Sequence, residues 1–336
     1  MANAGVADPA AAAMQLVDYR DPAAIVQIPT RNGFGAGLVE AGRRDEKVIA
    51  ICADLAESTR MEPFKAAFLE RYIEIGVAEQ MIVAMAAGLA ATGKVPFIAS
   101  YAMFNPGRSW EQVRTTMALN QTNVKIAGAH AGVSVGPDGA THQAVEDIAI
   151  MRVIPNMIVV VPCDSVQTKK ATLAVAERFG PTYLRFARAE SAVITTEGTP
   201  FEIGKAQTFR DGTDVAIVAC GILVYNALLA AEQLAGDGIE CRVVNNHTIK
   251  PMDEPAIVAA ARDCGAVVTV EEHQVHGGMG SRVAEILAAH HPAPIEFIGV
   301  QDRFGQSGTP VELVEEYGMG VTAIVAAVKR ALSRKR

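Results

Sequence analysis

Ile75-Gly76-Val77-Ala78-Glu79-Gln80 follows a strand-like run, Tyr72-Ile73-Glu74-Ile75, and leads through Gly76 into an alanine-rich helix over Met81–Ala91. An acid at that junction lies near a helix N-terminus and beside the carboxyl end of a strand. Open α/β sheets place their ligands at such positions. A second stretch, Gly136-Pro137-Asp138-Gly139-Ala140-Thr141-His142-Gln143, is a loop between a strand over Val124–Ala129 and a helix over Ala144–Arg152. Loops held on a scaffold carry chemistry more often than cores do.

The same alternation extends in both directions. Further strands are expected over Val48–Ala53, Val95–Ala99, Ile158–Val161 and Thr182–Phe186, with a helix over Ser165–Phe179 ending at Gly180-Pro181. After a less periodic stretch containing Thr195-Thr196-Glu197-Gly198-Thr199-Pro200, the rhythm restarts with strands Val215–Ala219, Cys241–Asn245, Ala266–Glu271 and Ile295–Val300. Helices are expected over Leu223–Ala235, Glu254–Arg262, Gly280–Ala289 and Val321–Leu332. Parallel strands need crossover helices, so the fold class is α/β: two consecutive domains, each a mostly parallel sheet flanked by helices. The expected division is an N-terminal arm over 1–28, mobile or partner-docking over its first 20 or so residues, a first domain over 29–190, a linker over 191–204 and a second domain over 205–336.

At 336 residues, 50% hydrophobic but only 5% aromatic, the chain has a core to build from Ala, Val, Ile and Leu. That suits parallel sheets covered by small-residue helices. A net charge of −7 argues against a general nucleic-acid or anionic-membrane partner. Five dispersed cysteines without a CxxC pair fit reduced thiols in a cytoplasmic protein. No uninterrupted apolar run approaches the ~20 residues of a membrane span, and the first residues lack the basic and apolar regions of a secretory signal.

Two glycine patterns are set aside. Gly33-Phe34-Gly35-Ala36-Gly37 follows no clear strand and misses the GxGxxG spacing, so it reads as a small-residue helix face. Gly236-Asp237-Gly238 resembles the opening of the motif by which thiamine-diphosphate enzymes hold metal and diphosphate, but in that family an asparagine pair closes it ~25 residues on, where Asp and Asn supply oxygen ligands to Mg²⁺. Asn245-Asn246 come too soon, and the triplet reads as a turn.

GVAEQ and DGATHQ together resemble the pyrimidine-binding domain of the transketolase family of thiamine-diphosphate enzymes, and the likeness continues through the transketolase C-terminal domain from about Arg31 onward. It implies that Glu79 contacts the cofactor's aminopyrimidine and favours its imino tautomer; as an isolated residue, a helix-start Glu also reads as a cap. Tyr101 and Phe104, in Ala99-Ser100-Tyr101-Ala102-Met103-Phe104, match cofactor-pocket aromatics, with ordinary core packing the rival for Tyr101. Gly107 stands where the family often has a third aromatic. His142 matches a histidine at the carbonyl end of a bound sugar, and Asp138 an acid that reads the C2 hydroxyl. Arg31, Ser58, His130 and Arg188 match positions that grip a terminal phosphate, a task suited to guanidinium groups; Arg185 is the rival for Arg188. Asp54 matches an acid near the cofactor. Glu271-Glu272-His273-Gln274-Val275-His276-Gly277-Gly278 resembles a C-terminal-domain motif from which His273 or His276 reaches substrate or merely settles a loop.

No diphosphate-binding domain is included in the match. The resemblance therefore implies the C-terminal subunit of a split transketolase, moving a two-carbon ketol unit between sugar phosphates. It implies thiamine diphosphate shared with an N-terminal partner subunit that mainly holds Mg²⁺ (or Ca²⁺), a self-associating dimer core, and a heterotetramer. The rivals are a 2-oxoacid dehydrogenase β subunit, a 1-deoxyxylulose-phosphate synthase-like subunit, and a non-catalytic binding subunit.

Overall fold

The structure, a computed structural model, describes residues 9–335; the start of the expected arm, residues 1–8, lies outside the described residues. Two sheets organise the chain. The first contains β1 (Val48–Cys52), β2 (Tyr72–Glu74), β3 (Val95–Tyr101), β4 (Lys125–Ala129), β5 (Ile158–Val160) and β6 (Thr182–Arg185). The second contains β7 (Gln207–Arg210), β8 (Val215–Ala219), β9 (Cys241–Asn245), β11 (Val267–Gln274) and β12 (Ile295–Val300). Between β9 and β11 comes β10 (Thr248–Lys250). The orders are β10-β5-β6-β4-β3-β1-β2 and β12-β11-β8-β9-β7.

All pairings within residues 48–185 are parallel, and the register is direct: Ile51 faces Ile98, which faces Ile126, which faces Tyr183. Strands β1, β3 and β4 are buried along their whole length, as central strands covered on both faces must be. One face packs on helix Thr30–Arg44 and helix Ser165–Glu177 through Phe34, Leu38, Phe97 and Val175. These helices approach closely because Gly33 presents no Cβ to the Ser165 carbonyl, which a methyl would meet at 1.9 Å. The glycine-rich stretch is thus a helix-packing face.

The other face joins the two domains. Ile82, Ile98, Ile126 and Val159 belong to one buried apolar cluster with Val218, Ile249, Ile257 and Ile286 of the second half. Two strands escaped the sequence reading. β7 is an antiparallel edge strand on β9, and β10 leaves the second half to pair antiparallel with β5, completing the first sheet.

The described part of the arm and the linker both pack against the two domains. From Ala10 onward the arm packs on its own chain: Tyr19 and Ile25 enter the core of the second domain, and the Tyr19 hydroxyl donates to Glu232 at 3.1 Å. The linker is held by Asp164, which caps helix Ser165–Glu177 at the Gln167 amide. Asp164 also accepts the Ile194 and Thr195 amides at 2.9 and 2.6 Å. A buried carboxylate bound by backbone N–H groups is well satisfied. Gly236-Asp237-Gly238 forms the turn after helix Val224–Gly236. Among the described residues, no helix is long and apolar enough to cross a membrane.

Candidate active site

Every segment quoted above for the first domain leaves the carboxyl edge of its parallel sheet. Asp54 and Ser58 follow β1, Glu79 follows β2, Tyr101 ends β3 with Phe104 just beyond, His130 follows β4, and Arg188 follows β6. Arg31 joins them from the first turn of helix Thr30–Arg44. The join is specific. The Thr30 hydroxyl accepts the Ala187 amide at 2.8 Å and donates to the Ala187 carbonyl at 3.1 Å, tying the residue before Arg31 to the residue before Arg188.

Glu79 is the first residue of helix Glu79–Ala91 and is only 3% exposed. Its Oε2 lies 3.2 Å from Arg108 Nη1, and the Arg108 guanidinium stands 5.8 Å from the Phe104 ring centre. Arg108 thus bridges the buried acid and the half-buried aromatic. Tyr101 stacks on His130 with centres 4.1 Å apart and lies nearly parallel to Phe104 at 6.0 Å. His142 meets Phe104 edge-on at 5.2 Å. A buried carboxylate beside aromatic walls suits a flat, apolar-faced heterocycle with a polar edge, so the residues fit the aminopyrimidine of thiamine diphosphate. At Gly107 a side chain is excluded, because a Cβ would meet the Met103 carbonyl at 1.9 Å. The family's third aromatic has no room on this backbone.

Beside the aromatic wall lies a cationic cluster. Arg31 Nη1 donates to the Ser58 carbonyl at 2.9 Å and lies 3.4 Å from His130 Nε2, while its buried Nε has no hydrogen-bond partner. Ser58 therefore meets Arg31 through its backbone carbonyl, not its hydroxyl. Burial, then Arg60 and Arg188, hold Arg31 below the usual guanidinium range. Burial, followed by Arg31, Arg188 and Arg60, pushes His130 down to about 3, so its ring is neutral. Three guanidinium groups with a spare buried donor make a site for an anion. Arg60, which donates to Asn32 at 2.9 Å, is a member that sequence reading missed. The signal was weak: an arginine in a loop resembles any surface charge.

Asp138 and Arg188, assigned by resemblance to opposite ends of a substrate, here hold each other: Arg188 Nη1 lies 3.1 Å from both carboxylate oxygens. Arg185 is occupied elsewhere, fully buried against Asp147 at 2.8 Å and the Glu272 carbonyl at 2.8 Å. His273 is buried with both ring nitrogens engaged, by the Ala149 amide and the Gln274 carbonyl, so it is a seam residue; His276 is exposed. Asp54 is exposed, and its amide donates to Glu74.

Comparisons with known proteins agree with this architecture. The family model for the transketolase pyrimidine binding domain matches residues 26–192, and that for the transketolase C-terminal domain matches residues 204–324. A putative transketolase C-terminal section of Methanocaldococcus jannaschii is 43% identical over 308 residues, covering 91% of this chain and 96% of that protein. A 6-deoxy-6-sulfo-D-fructose transketolase subunit of a Clostridium species is 41% identical, covering 89% of this chain and 92% of that one. Among solved structures, a split gene transketolase described as an inactive beta4 tetramer superposes with a TM-score of 0.87 at 45% identity. It covers 92% of this chain and all of its own.

Proposed function

The chain belongs to the transketolase family, and from that membership we propose that it is the C-terminal subunit of a two-component transketolase that transfers a two-carbon ketol unit from a ketose phosphate to an aldose. The observation that carries this reading is the buried Glu79, joined through Arg108 to the exposed side of an aromatic wall, at the carboxyl edge of the first sheet.

Thiamine diphosphate, when bound, supplies the electron sink that lets a carbon–carbon bond break beside a carbonyl. Glu79 would share a proton with a ring nitrogen of the aminopyrimidine, which would replace Arg108 as the contact that satisfies the acid. Phe104 would cover the ring and Tyr101 would back the pocket, excluding water and strengthening that hydrogen bond. His142 orients the substrate's reacting oxygens. Arg31, Arg188, His130 and the Ser58 hydroxyl hold the terminal phosphate, with the Ser58 carbonyl orienting Arg31. When Arg188 turns to the anion, the Asp138 carboxylate is released toward the sugar hydroxyl, so the two ends of the substrate are read together. A neutral His130 donates or accepts one hydrogen bond without adding charge.

The diphosphate and its Mg²⁺ (or Ca²⁺) fall to an N-terminal partner subunit, which completes the cofactor site. A self-associated core of this chain with two partner copies would form a heterotetramer. The solved neighbour described as an inactive beta4 tetramer of a split gene transketolase supports that dependence. The relative that acts on a 6-deoxy-6-sulfo sugar supports an anionic group at the substrate's far end. Five free, buried cysteines suit a cytoplasmic enzyme, and ketol transfer between sugar phosphates suits a place in pentose-phosphate metabolism.

The test is purification of the chain with its native partner, followed by ketol-transfer assay with cofactor and Mg²⁺. Glu79→Ala should lower the rate roughly a hundredfold or more, the usual scale for lost acid–base assistance. Full activity in that variant would favour a non-catalytic subunit. Acyl transfer from a 2-oxoacid to a lipoyl group would favour the dehydrogenase reading, and pyruvate as donor the synthase reading.

A further inference from the structure

The loop over residues 133–143, which carries Asp138 and His142, is built on the second domain. Glu272 of β11 reaches across the seam, and its Oε1 accepts the Ser134 amide at 2.6 Å. The carboxylate is 4% exposed as a residue and lies over Gly132, where a Cβ would come within 2.3 Å of it. Gly132 has a φ of +87°, so glycine serves both the backbone and the close approach. At the other end of the loop, the Gln143 side-chain amide donates to the Val133 and Gly136 carbonyls, and to the Gln306 carbonyl of the second domain at 2.9 Å. Gly139, next to Asp138, faces the Ser307 hydroxyl. The hydrogen bonds pin the loop at both ends, leaving Asp138 and His142 between the fixed points.

We propose that Glu272 is a positioning residue for the substrate site: by holding the Ser134 amide it sets the loop that presents Asp138 and His142, and so makes the second domain part of substrate selection. A charged acceptor fits this task because a carboxylate binds a backbone N–H about twice as strongly as a neutral oxygen does. Burial raises the Glu272 carboxyl above its ordinary range, and nearby Arg185, which donates to the Glu272 backbone carbonyl at 2.8 Å, opposes that shift. The Gly132 amide is taken by the Ala144 carbonyl at 2.8 Å, and Ser134 is buried, so the Ser134 amide has Glu272 as its partner away from water.

This inference rests on the transketolase reading for its substrate arm but not for its structural arm. In the isolated chain, amide hydrogen exchange over residues 132–143 should speed up about tenfold or more in Glu272→Ala, and return most of the way to wild type in Glu272→Gln, which keeps an acceptor oxygen. In the complex with its partner, Glu272→Ala should lose about tenfold or more in kcat/KM. Its preference for an aldose acceptor bearing the C2 hydroxyl over the 2-deoxy analogue should shrink, with Glu272→Gln again recovering most of both. Unchanged exchange in Glu272→Ala, or equal defects in the two variants, would overturn the proposal. Failure of ketol transfer by the wild-type complex would strike the functional reading alone. Should Glu272→Ala not fold, wild-type exchange decides: residues 132–143 should exchange as slowly as β4, and exchange as fast as the exposed segment 301–304 would overturn the idea.

Discussion

Replacing Arg31 with methionine separates anion binding from every other role of the site. The side chain keeps its apolar stem but loses a guanidinium whose Nη1 contacts the Ser58 carbonyl and His130, and whose Nε is buried without a partner. In the free chain that cation is poorly settled, crowded by Arg60 and Arg188. Removing it should therefore leave the melting temperature unchanged or raise it. The loss appears only when an anion arrives. A charge-assisted hydrogen bond is worth about 1.5–3 kcal/mol, which is roughly a 10- to 150-fold fall in kcat/KM. The assay compares a phosphorylated acceptor with the same sugar lacking phosphate, in the reconstituted complex. The phosphorylated acceptor should lose about that factor, while the neutral sugar changes by less than about threefold. Equal losses for both sugars, or a melting temperature several degrees lower, would refute the assignment and make Arg31 a structural residue.

Two further outcomes concern the scaffold. Lys125→Met should destabilise the chain by about 2–4 kcal/mol in urea titrations, because the buried ammonium donates to Asn123, the Arg178 carbonyl and the Gly180 carbonyl, and methionine leaves those acceptors unpaired. His130 stays neutral until about pH 3 in the folded chain but takes up a proton near its ordinary value of 6.5 when unfolded. The unfolded state thus binds more protons between those limits, and stability falls as pH drops from about 6.5 toward 3. His130→Asn should show a shallower fall when denaturation midpoints at pH 4 and pH 7 are compared; an unchanged slope would show that other groups carry it.

The site was more legible than the fold's joints. Glu79, Tyr101, Phe104, His130 and Arg188 each follow a β-rich run, and the carboxyl edge of a parallel sheet gathers whatever follows such runs. What pairs with what was not legible. No spacing rule brings Arg108 to Glu79, twenty-nine residues away, or Asp138 to Arg188, fifty away. Nothing in the sequence singled out Thr30, the pin between the segments that carry two arginines. One available signal went unread: Thr309-Pro310-Val311-Glu312 spells a capping box with proline at the first turn, and a short helix, Pro310–Glu316, begins there. β10 gave no signal, since three residues carry no periodicity, and its partner strand is eighty-eight residues upstream.

That small strand makes the two halves a single heritable unit. A crossover that exchanged everything after residue 204 for the tail of a distant cousin would also exchange the segment that zips onto β5, and with it half of the apolar seam. Natural recombination and protein engineers alike are better served by grafting the pair intact than by trading either piece alone.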